Sequence, residues 1–207
     1  VILVDFGGGT TDIATFIADS IRHTAGIQIG GSNLTADLAV GLRTPMAAAE
    51  SLKRNAGCCL IGMVGKDEMV SVAGVGGRQD RPVRRQMLAE ILEPRVEELL
   101  SLSRKEVEGS GLIDQVPGGV VLTGGSSVLP GVVEMAEQLF DMPARLGSPQ
   151  GVKGSLRSMV NSPMFATAVG LLQYGVDNGR TMRFRKYNDN ILKRVFNSMR
   201  RWFGGMH

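Results

Sequence analysis

The sequence predicts an α/β fold, in which short buried strands alternate with helices. Three observations carry that expectation. Two β-branched runs, Val1–Phe6 (VILVDF) and Gly118–Thr123 (GGVVLT), each end in glycines, the pattern of a buried strand closed by a tight turn. Several segments between and after them place apolar residues at helical spacing. The 207 residues are 43% hydrophobic and 21% charged, which is enough apolar material for a core and excludes a wholly disordered chain.

Taken in order, Val1–Phe6 is followed by the turn Gly7-Gly8-Gly9-Thr10-Thr11-Asp12. Second and third strands are expected at Ile13–Ala18 and near Ser20–Thr24, so the opening reads as an antiparallel meander. Gly30-Gly31-Ser32 precedes a helix from about Asn33 to Val40, with Ser32 or Asn33 as N-cap and Leu34, Leu38 and Leu42 on one face. Thr44 as N-cap and Pro45 at the first helical position start a second helix that Gly57 stops. Cys58–Gly77 alternates valine with glycine and polar residues and predicts short strands, with a turn at Gln79–Arg81. Pro82 is expected to open a long helix to about Glu108, carrying Met87, Ile91, Leu92, Val96, Leu99 and Leu100 on one face and kinked or broken at Pro94. After Gly118–Thr123 come a helix from Pro130 to about Leu139, a short strand at Ala144–Leu146 and a helix at Pro163–Tyr174. Asp177–Asn190 is polar without periodicity and reads as a linker before a last helix to about Phe203.

The net charge of +3 conceals a division. Residues 1–179 hold 15 Lys and Arg against 19 Asp and Glu, a body of −4, whereas residues 180–207 hold 8 against Asp189 alone, a tail of +7. Such a tail points to an anionic surface. No run reaches the ~18 apolar residues of a spanning helix. The adjacent Cys58 and Cys59 suit neither a bridge nor a zinc site and are expected as reduced core thiols, which fits a cytosolic protein. The chain opens in a strand without an initiator Met and reads as the C-terminal part of a longer protein.

The stretch most informative for chemistry is Asp5–Asp12. A carboxylate at a strand end can hold water on a divalent ion, and glycines beyond it let backbone N–H groups approach phosphate oxygens without a Cβ in the way. The stretch lacks the third glycine of a dinucleotide-binding turn and the Gly-Lys-Ser/Thr of a P-loop. A hairpin turn with surplus glycine is the plainer alternative. A second strand, double-glycine turn and helix start, Val120–Pro130 (VVLTGGSSVLP), offers further exposed amides, as would any strand–turn–helix unit of an α/β fold. Glu50 and Lys53, one helical turn apart, lie between the two in sequence and on their own read as a helix-surface pair.

The two turns in this order, with Glu50 and Lys53 between them, resemble the actin/DnaK-chaperone/sugar-kinase ATPase superfamily. Further stretches narrow the likeness: Arg22-His23-Thr24, Gly65-Lys66-Asp67-Glu68, Val75-Gly76-Gly77-Arg78, Leu88 through Arg95 (LAEILEPR) and Ala168 through Leu172 (AVGLL) resemble the FtsA family of cell-division proteins over essentially the whole chain, as its C-terminal half. That resemblance implies an actin-like ATPase (ribonuclease H-like) fold comprising subdomain 2A (residues 1–45 and 116–176), subdomain 2B (46–115), a linker (177–189) and an amphipathic membrane helix (190–204). It implies ATP and Mg²⁺ as ligands, with Asp5 acting on Mg²⁺ through water. Gly7, Gly8, Gly9, Thr10 and Thr11 would form the phosphate turn, with Gly30 beside it. Gly124, Gly125 and Ser126 would flank the adenosine, and Glu50 and Lys53 would line the ribose and base. Any hydrolysis would be slow. It also implies self-association into filaments and, at subdomain 2B, reception of the C-terminal tail of the filament protein FtsZ, with Arg84 and Arg85 as contacts. The location implied is the cytoplasmic face of the cell membrane at the division septum. An actin-like pilus-assembly ATPase, or a chaperone or kinase of the same superfamily, is the alternative, and neither needs a basic amphipathic terminus.

That terminus separates cleanly on a helical wheel. With Ile191 at zero and ~100° per residue, Ile191, Leu192, Val195, Phe196, Met199, Trp202 and Phe203 fall within about 0–140°, while Lys193, Arg194, Arg200 and Arg201 fall within about 180–300°. Bulky apolar residues opposite Lys and Arg are the composition of an interfacial helix on anionic lipid. Docking on the protein itself or in a partner groove is the alternative, and nucleic acid is not expected, since it needs no seven-residue apolar stripe. Arg78, Arg81, Arg84 and Arg85 sit where the long helix starts; a solvated face is the plainer reading, and their opposition to the helix dipole hints at an acidic partner.

Overall fold

The computed structural model describes residues 1–154 and 156–179. The chain divides into two compact units, Val1–Thr167 and Ala168–His207. Three strands open the first: β1 (Ile2–Phe6), β2 (Thr11–Ile17) and β3 (Ser20–Ile27) form the antiparallel meander. Alternation fixes its faces. Ile2, Val4 and Phe6 are fully buried, while Leu3 and Asp5 turn to the other side.

Helices α1 (Gly31–Gly41) and α2 (Met46–Ala56) follow, then a 3-10 turn at Ile61–Met63 and a two-stranded ribbon of β4 (Met69–Val72) and β5 (Arg81–Arg84). α3 (Arg85–Gly109) packs across α1, β2 and β3. β6 (Val120–Thr123) pairs in parallel with β1, β7 (Ala144–Leu146) pairs in parallel with β6, and the sheet order is β3-β2-β1-β6-β7. Between them a 3-10 turn at Gly125–Val128 leads to α4 (Val132–Phe140), which packs on β6 and β7. α5 (Leu156–Val160), a 3-10 turn (Pro163–Phe165) and α6 (Ala166–Gly179) complete the described chain, α6 running on into the second unit. One core joins Ile2, Val4, Phe6, Ile13 and Leu122 of the sheet to Leu34, Leu38, Leu92, Val96, Leu99 and Phe140 of the helices. Arg95 on α3 grips Asp37 on α1 through two bonds, Nε to Oδ2 at 2.6 Å and Nη2 to Oδ1 at 3.2 Å.

Several sequence expectations need correction. Pro82 lies in β5, opposite Ser71, because a two-stranded ribbon has edges where a missing N–H is tolerated; the long helix therefore begins at Arg85. That helix continues through Pro94 without a break, since buried Leu92, Val96, Leu99 and Leu100 hold both halves to the core while Pro94 itself is exposed. Gly30 is the N-cap of α1, and Asn33 acts through its Oδ1, which accepts from the Gly30 N–H at 2.9 Å. Pro45, not Thr44, caps α2; the Thr44 hydroxyl donates to the Ala73 carbonyl. Cys58–Gly77 yields one strand rather than several. The helix expected from Pro130 starts at Val132, and the one expected over Pro163–Tyr174 is a 3-10 turn followed by α6, which extends to Gly179 and takes the first residues assigned to the linker. Cys58 and Cys59 are free and buried; burial, then the neighbouring Cys58, pushes the Cys59 thiol up, which leaves it unreactive. The helix expected near 190–204 lies outside the described residues.

Pro94→Ala restores an N–H facing the Glu90 carbonyl one turn back and is expected to stabilise the chain by about 1–3 kcal/mol. Urea denaturation measures this; an unchanged or lower midpoint would show that α3 is already adapted to the proline.

Candidate functional site: a cleft between two glycine turns

Parallel pairing sets the geometry. With Asp5 opposite Thr123, β1 and β6 end side by side, so the turns that leave them emerge at the same edge of the sheet. This is the crevice beyond the carboxyl ends of parallel strands where α/β folds place ligands. One atom joins the two turns to a helix: the Gly7 carbonyl accepts from the Gly31 N–H at the start of α1 (3.0 Å) and from the Ser126 hydroxyl (3.0 Å). The Ser32 N–H donates beside it to the Gly8 carbonyl at 2.7 Å.

Only glycine permits this approach at two places. A Cβ on Gly30 would stand 2.7 Å from the Gly8 carbonyl oxygen. Gly124 has φ +86°, and a Cβ there would collide with Asp5 Oδ1 and lie 2.5 Å from the Phe6 oxygen. The double glycine of Val120–Pro130 is thus what lets the second turn reach the end of β1.

The turns open on a cleft of about 570 Å³ lined by Gly8, Gly31, Ser32, Leu34, Glu50, Lys53, Arg54, Gly125, Ser126, Val128, Leu129, Pro130 and Met164. Of the residues singled out by sequence, Gly8, Glu50, Lys53, Gly125 and Ser126 meet here. The first two N–H groups of α1 already serve Gly7 and Gly8, so the helix start is not the free anion site its position suggests. Among the described residues no backbone acceptor takes the amides of Gly8, Gly9, Gly125 or Ser126, and nothing lies within 4 Å of where a Cβ on Gly8 or Gly9 would stand. The cleft therefore offers two sets of backbone donors, one on each turn, with apolar Val128, Leu129, Pro130 and Met164 around the second. That combination suits an elongated anion carrying a flat or apolar end.

On the α1–α2 wall Lys53 Nζ meets Glu50 Oε2 at 2.7 Å, the Gly31 carbonyl at 2.8 Å and the Thr35 hydroxyl at 2.8 Å. Thr35, only 4% exposed, also lies within hydrogen-bond distance of Glu50 Oε2. Burial alone would raise the Glu50 carboxyl, but hydrogen bonds from Lys53 and Thr35 and the charges of Lys53 and Arg54 hold it below its ordinary range.

The other assigned residues stand around the cleft rather than on it. The Gly7 N–H turns back to the Asp5 and Thr10 carbonyls, and Gly30 and Gly124 are the two close-approach positions. Asp5 points from the opposite face of β1, where Oδ2 accepts from the Thr167 hydroxyl at 2.6 Å; it lines two shallower hollows, one of them with Asp12. The Thr10 hydroxyl is 3.5 Å from Asp12 Oδ2. Thr11 is fully buried and donates to the Ile29 carbonyl at 2.8 Å, so its side chain anchors the turn instead of facing a ligand. Among the described residues no cluster of three or more His, Cys, Asp or Glu could hold a metal directly, and no helix is long and apolar enough to cross a membrane.

Away from the cleft, Arg85 is held by Glu68 (2.6 Å) and the Ala56 carbonyl (2.7 Å), and Arg81 donates to the Leu42 carbonyl, whereas Arg84 is exposed. Sequence reasoning missed Thr35, Arg54 and Met164. A threonine amid the leucines of α1 and the basic residue after Lys53 were available signals for the first two; Met164, brought in by a distant 3-10 turn, had none.

A meander joined in parallel to a strand–turn–helix unit, with both turns on one cleft, is the architecture of the actin-like ATPases. The solved structure of MreB 5 of Spiroplasma citri bound to AMPPNP superposes with a TM-score of 0.66 over 86% of this chain and 55% of that one, at 17% identity. The family model for cell division protein FtsA matches residues 2–170. The cell division protein FtsA of Pseudomonas aeruginosa is 46% identical over 99% of this chain and 50% of its own length, and that of Escherichia coli K12 is 40% identical over 86% and 44%. The chain belongs to the FtsA family of cell-division proteins and spans about half the length of these relatives.

Because Glu50 is held low, it contributes stability above the ordinary carboxyl value of 4.5, and that contribution is lost as pH falls through the lower native value. The unfolding free energy of the parent chain is thus expected to exceed that of Glu50→Gln by an amount that shrinks as the pH falls below the ordinary value of 4.5. A difference that stays constant as the pH falls would contradict the Lys53–Thr35 network.

Proposed function

We propose that this chain is the nucleotide-facing half of an actin-like adaptor that binds ATP and anchors FtsZ filaments to the cytoplasmic membrane at the division septum. The observation that carries the reading is the convergence of the two glycine turns, with their uncommitted amides, on one cleft that Glu50 and Lys53 also line. In this reading the amides of Gly8, Gly9 and Thr10 meet the β and γ phosphates, and Gly124, Gly125 and Ser126 flank the adenosine. Bound Mg²⁺ neutralises phosphate charge. Asp5 would hold it through water, as a carboxylate at the end of β1 with Asp12 opposite it on β2. Any hydrolysis is slow and tunes self-association rather than driving turnover.

The remaining roles rest on the family and the charge pattern. Residues 46–115 serve as subdomain 2B and receive the FtsZ C-terminal tail, with Arg84 the arginine available to an acidic segment, since Arg85 already pairs with Glu68. Residues 190–204 lie on anionic lipid, Trp202 and Phe203 inserted and Lys193, Arg194, Arg200 and Arg201 at the headgroups, each basic residue adding about 1 kcal/mol at low salt. Self-association into filaments follows family membership.

Sedimentation with vesicles containing anionic lipid tests the tether. The full chain is expected to pellet, more weakly as salt rises, and the chain lacking residues 189–207 to stay in the supernatant. Equal pelleting of both would remove the membrane role and leave the cleft reading untouched.

A further inference from the structure

The five-stranded sheet ends in two unlike edges. β7 is three residues long, whereas β3 runs for eight, Ser20–Ile27, with neither proline nor lysine to blunt it. Parity along the meander shows which backbone groups the long edge presents. The Val1 ammonium donates to the Phe16 carbonyl and the Phe16 N–H to the Val1 carbonyl, so the even-numbered residues of β2 turn their backbone groups to β1. Thr11, Ile13 and Thr15 turn theirs to β3, where they face Ile27, Ala25 and His23. Arg22, Thr24 and Gly26 therefore point their N–H and C=O groups out of the sheet, and these groups have no partner among the described residues.

The side chains along this edge complement one another. Arg22, Thr24 and Gly26 share the outer face of the sheet with Asp12, opposite the core face of Ile13 and Ala25. Asp12 is exposed and faces Gly26 in register; its Oδ1 lies 3.4 Å from where a Cβ on Gly26 would stand, so the carboxylate leans over the glycine toward the edge. Arg22 is exposed and carries no ion pair among the described residues. Ile21, on the other face, is 58% exposed.

We infer that the β3 edge is a docking surface for a second copy of this chain, the two β3 strands joining in antiparallel about a twofold axis at Thr24. In that register Thr24 faces Thr24 of the second copy and Arg22 faces its Gly26, each pair exchanging both backbone bonds. Neighbouring strands lie ~4.8 Å apart, so Arg22 of one copy stands about 10 Å from Asp12 of the other across a glycine, a gap that the two side chains close. Symmetry makes this ion pair twice. Ile21 falls opposite Ile27 of the second copy, which covers it. A slip of one residue would turn the strand's outward backbone groups against side chains on the wrong face, so the charge pair and the pleat fix the same register. An isologous contact closes on itself and joins chains two at a time. It is therefore separate from the growth of a filament and stands whether or not the cleft holds a nucleotide.

Sedimentation equilibrium of the full chain, without nucleotide, tests the proposal together with a cysteine on the axis. The parent is expected to dimerise. Arg22→Asp sets like charges together in both ion pairs and is expected to weaken the dimer about tenfold or more, and adding Asp12→Arg to it to restore the parent value within about threefold. Both positions are exposed, so the variants keep the fold. Thr24→Cys is expected to give a disulfide-linked dimer on oxidation, because facing Cα atoms there lie ~5.5 Å apart. Ser20→Cys, set far from its own copy along the strands, is expected not to link, and Cys58 and Cys59 are buried and give no background. A parent monomeric up to about 1 mM would overturn the proposal. So would a dimer indifferent to Arg22→Asp, as association through the basic tail would be, a double swap that restores nothing, or equal linking at residues 20 and 24.

Discussion

The Gly7 carbonyl is the joint on which the site depends. It receives the first amide of α1 and the hydroxyl of Ser126, residues 24 and 119 positions away in sequence. A peptide oxygen can accept two bonds, and here each comes from a segment that forms one wall of the cleft. Gly30 and Gly124 are glycines because a side chain there would meet the facing main chain and push those segments off the joint. The arrangement also explains which donors remain: an α1 start that satisfies Gly7 and Gly8 leaves the turn's own outward amides, those of Gly8 and Gly9, for a ligand.

Charge is handled in the same economical way. The cleft holds Lys53 and Arg54 against Glu50, yet Lys53 and one Glu50 oxygen are bound to each other and to the α1 backbone. The wall is therefore stiff, and its chemistry toward a ligand is narrower than its composition suggests. Arg54, exposed on the last turn of α2, keeps its guanidinium available on the cleft. Farther off, the arginines before α3 divide likewise, with Arg81 and Arg85 tied to main-chain carbonyls and Arg84 left outward.

Much of this was legible in the sequence because the signals were local. The runs Val1–Phe6 and Gly118–Thr123 are strands by composition, and the glycines after them mark turns whatever the tertiary context. Where tertiary packing competes with local preference the reading failed. Pro82 looks like a helix start until pairing with Ser71 claims it for a ribbon, and Pro94 looks like a break until four buried leucine and valine side chains hold the helix through it. Within the site, the glycine turns and the Glu50–Lys53 pair could be found by spacing. The partner of that pair, Thr35, stood out only as a threonine amid the leucines of α1, and its role arises when α1 and α2 pack side by side. Asp5, placed by the sequence at the end of β1, turns to the face opposite Phe6, where its Oδ2 accepts from the Thr167 hydroxyl.

Amide mapping by ¹H–¹⁵N correlation spectra, recorded as Mg-ATP is added to the full chain, addresses the central claim most directly. The account predicts that the signals of Gly8, Gly9, Gly125 and Ser126 move together, with Gly31 and Ser32, whose N–H groups are already bound, moving less. ATP that left those four amides unmoved and perturbed only the basic residues beyond 180 would contradict it, showing attraction to a cationic tail in place of a nucleotide seat between the two turns.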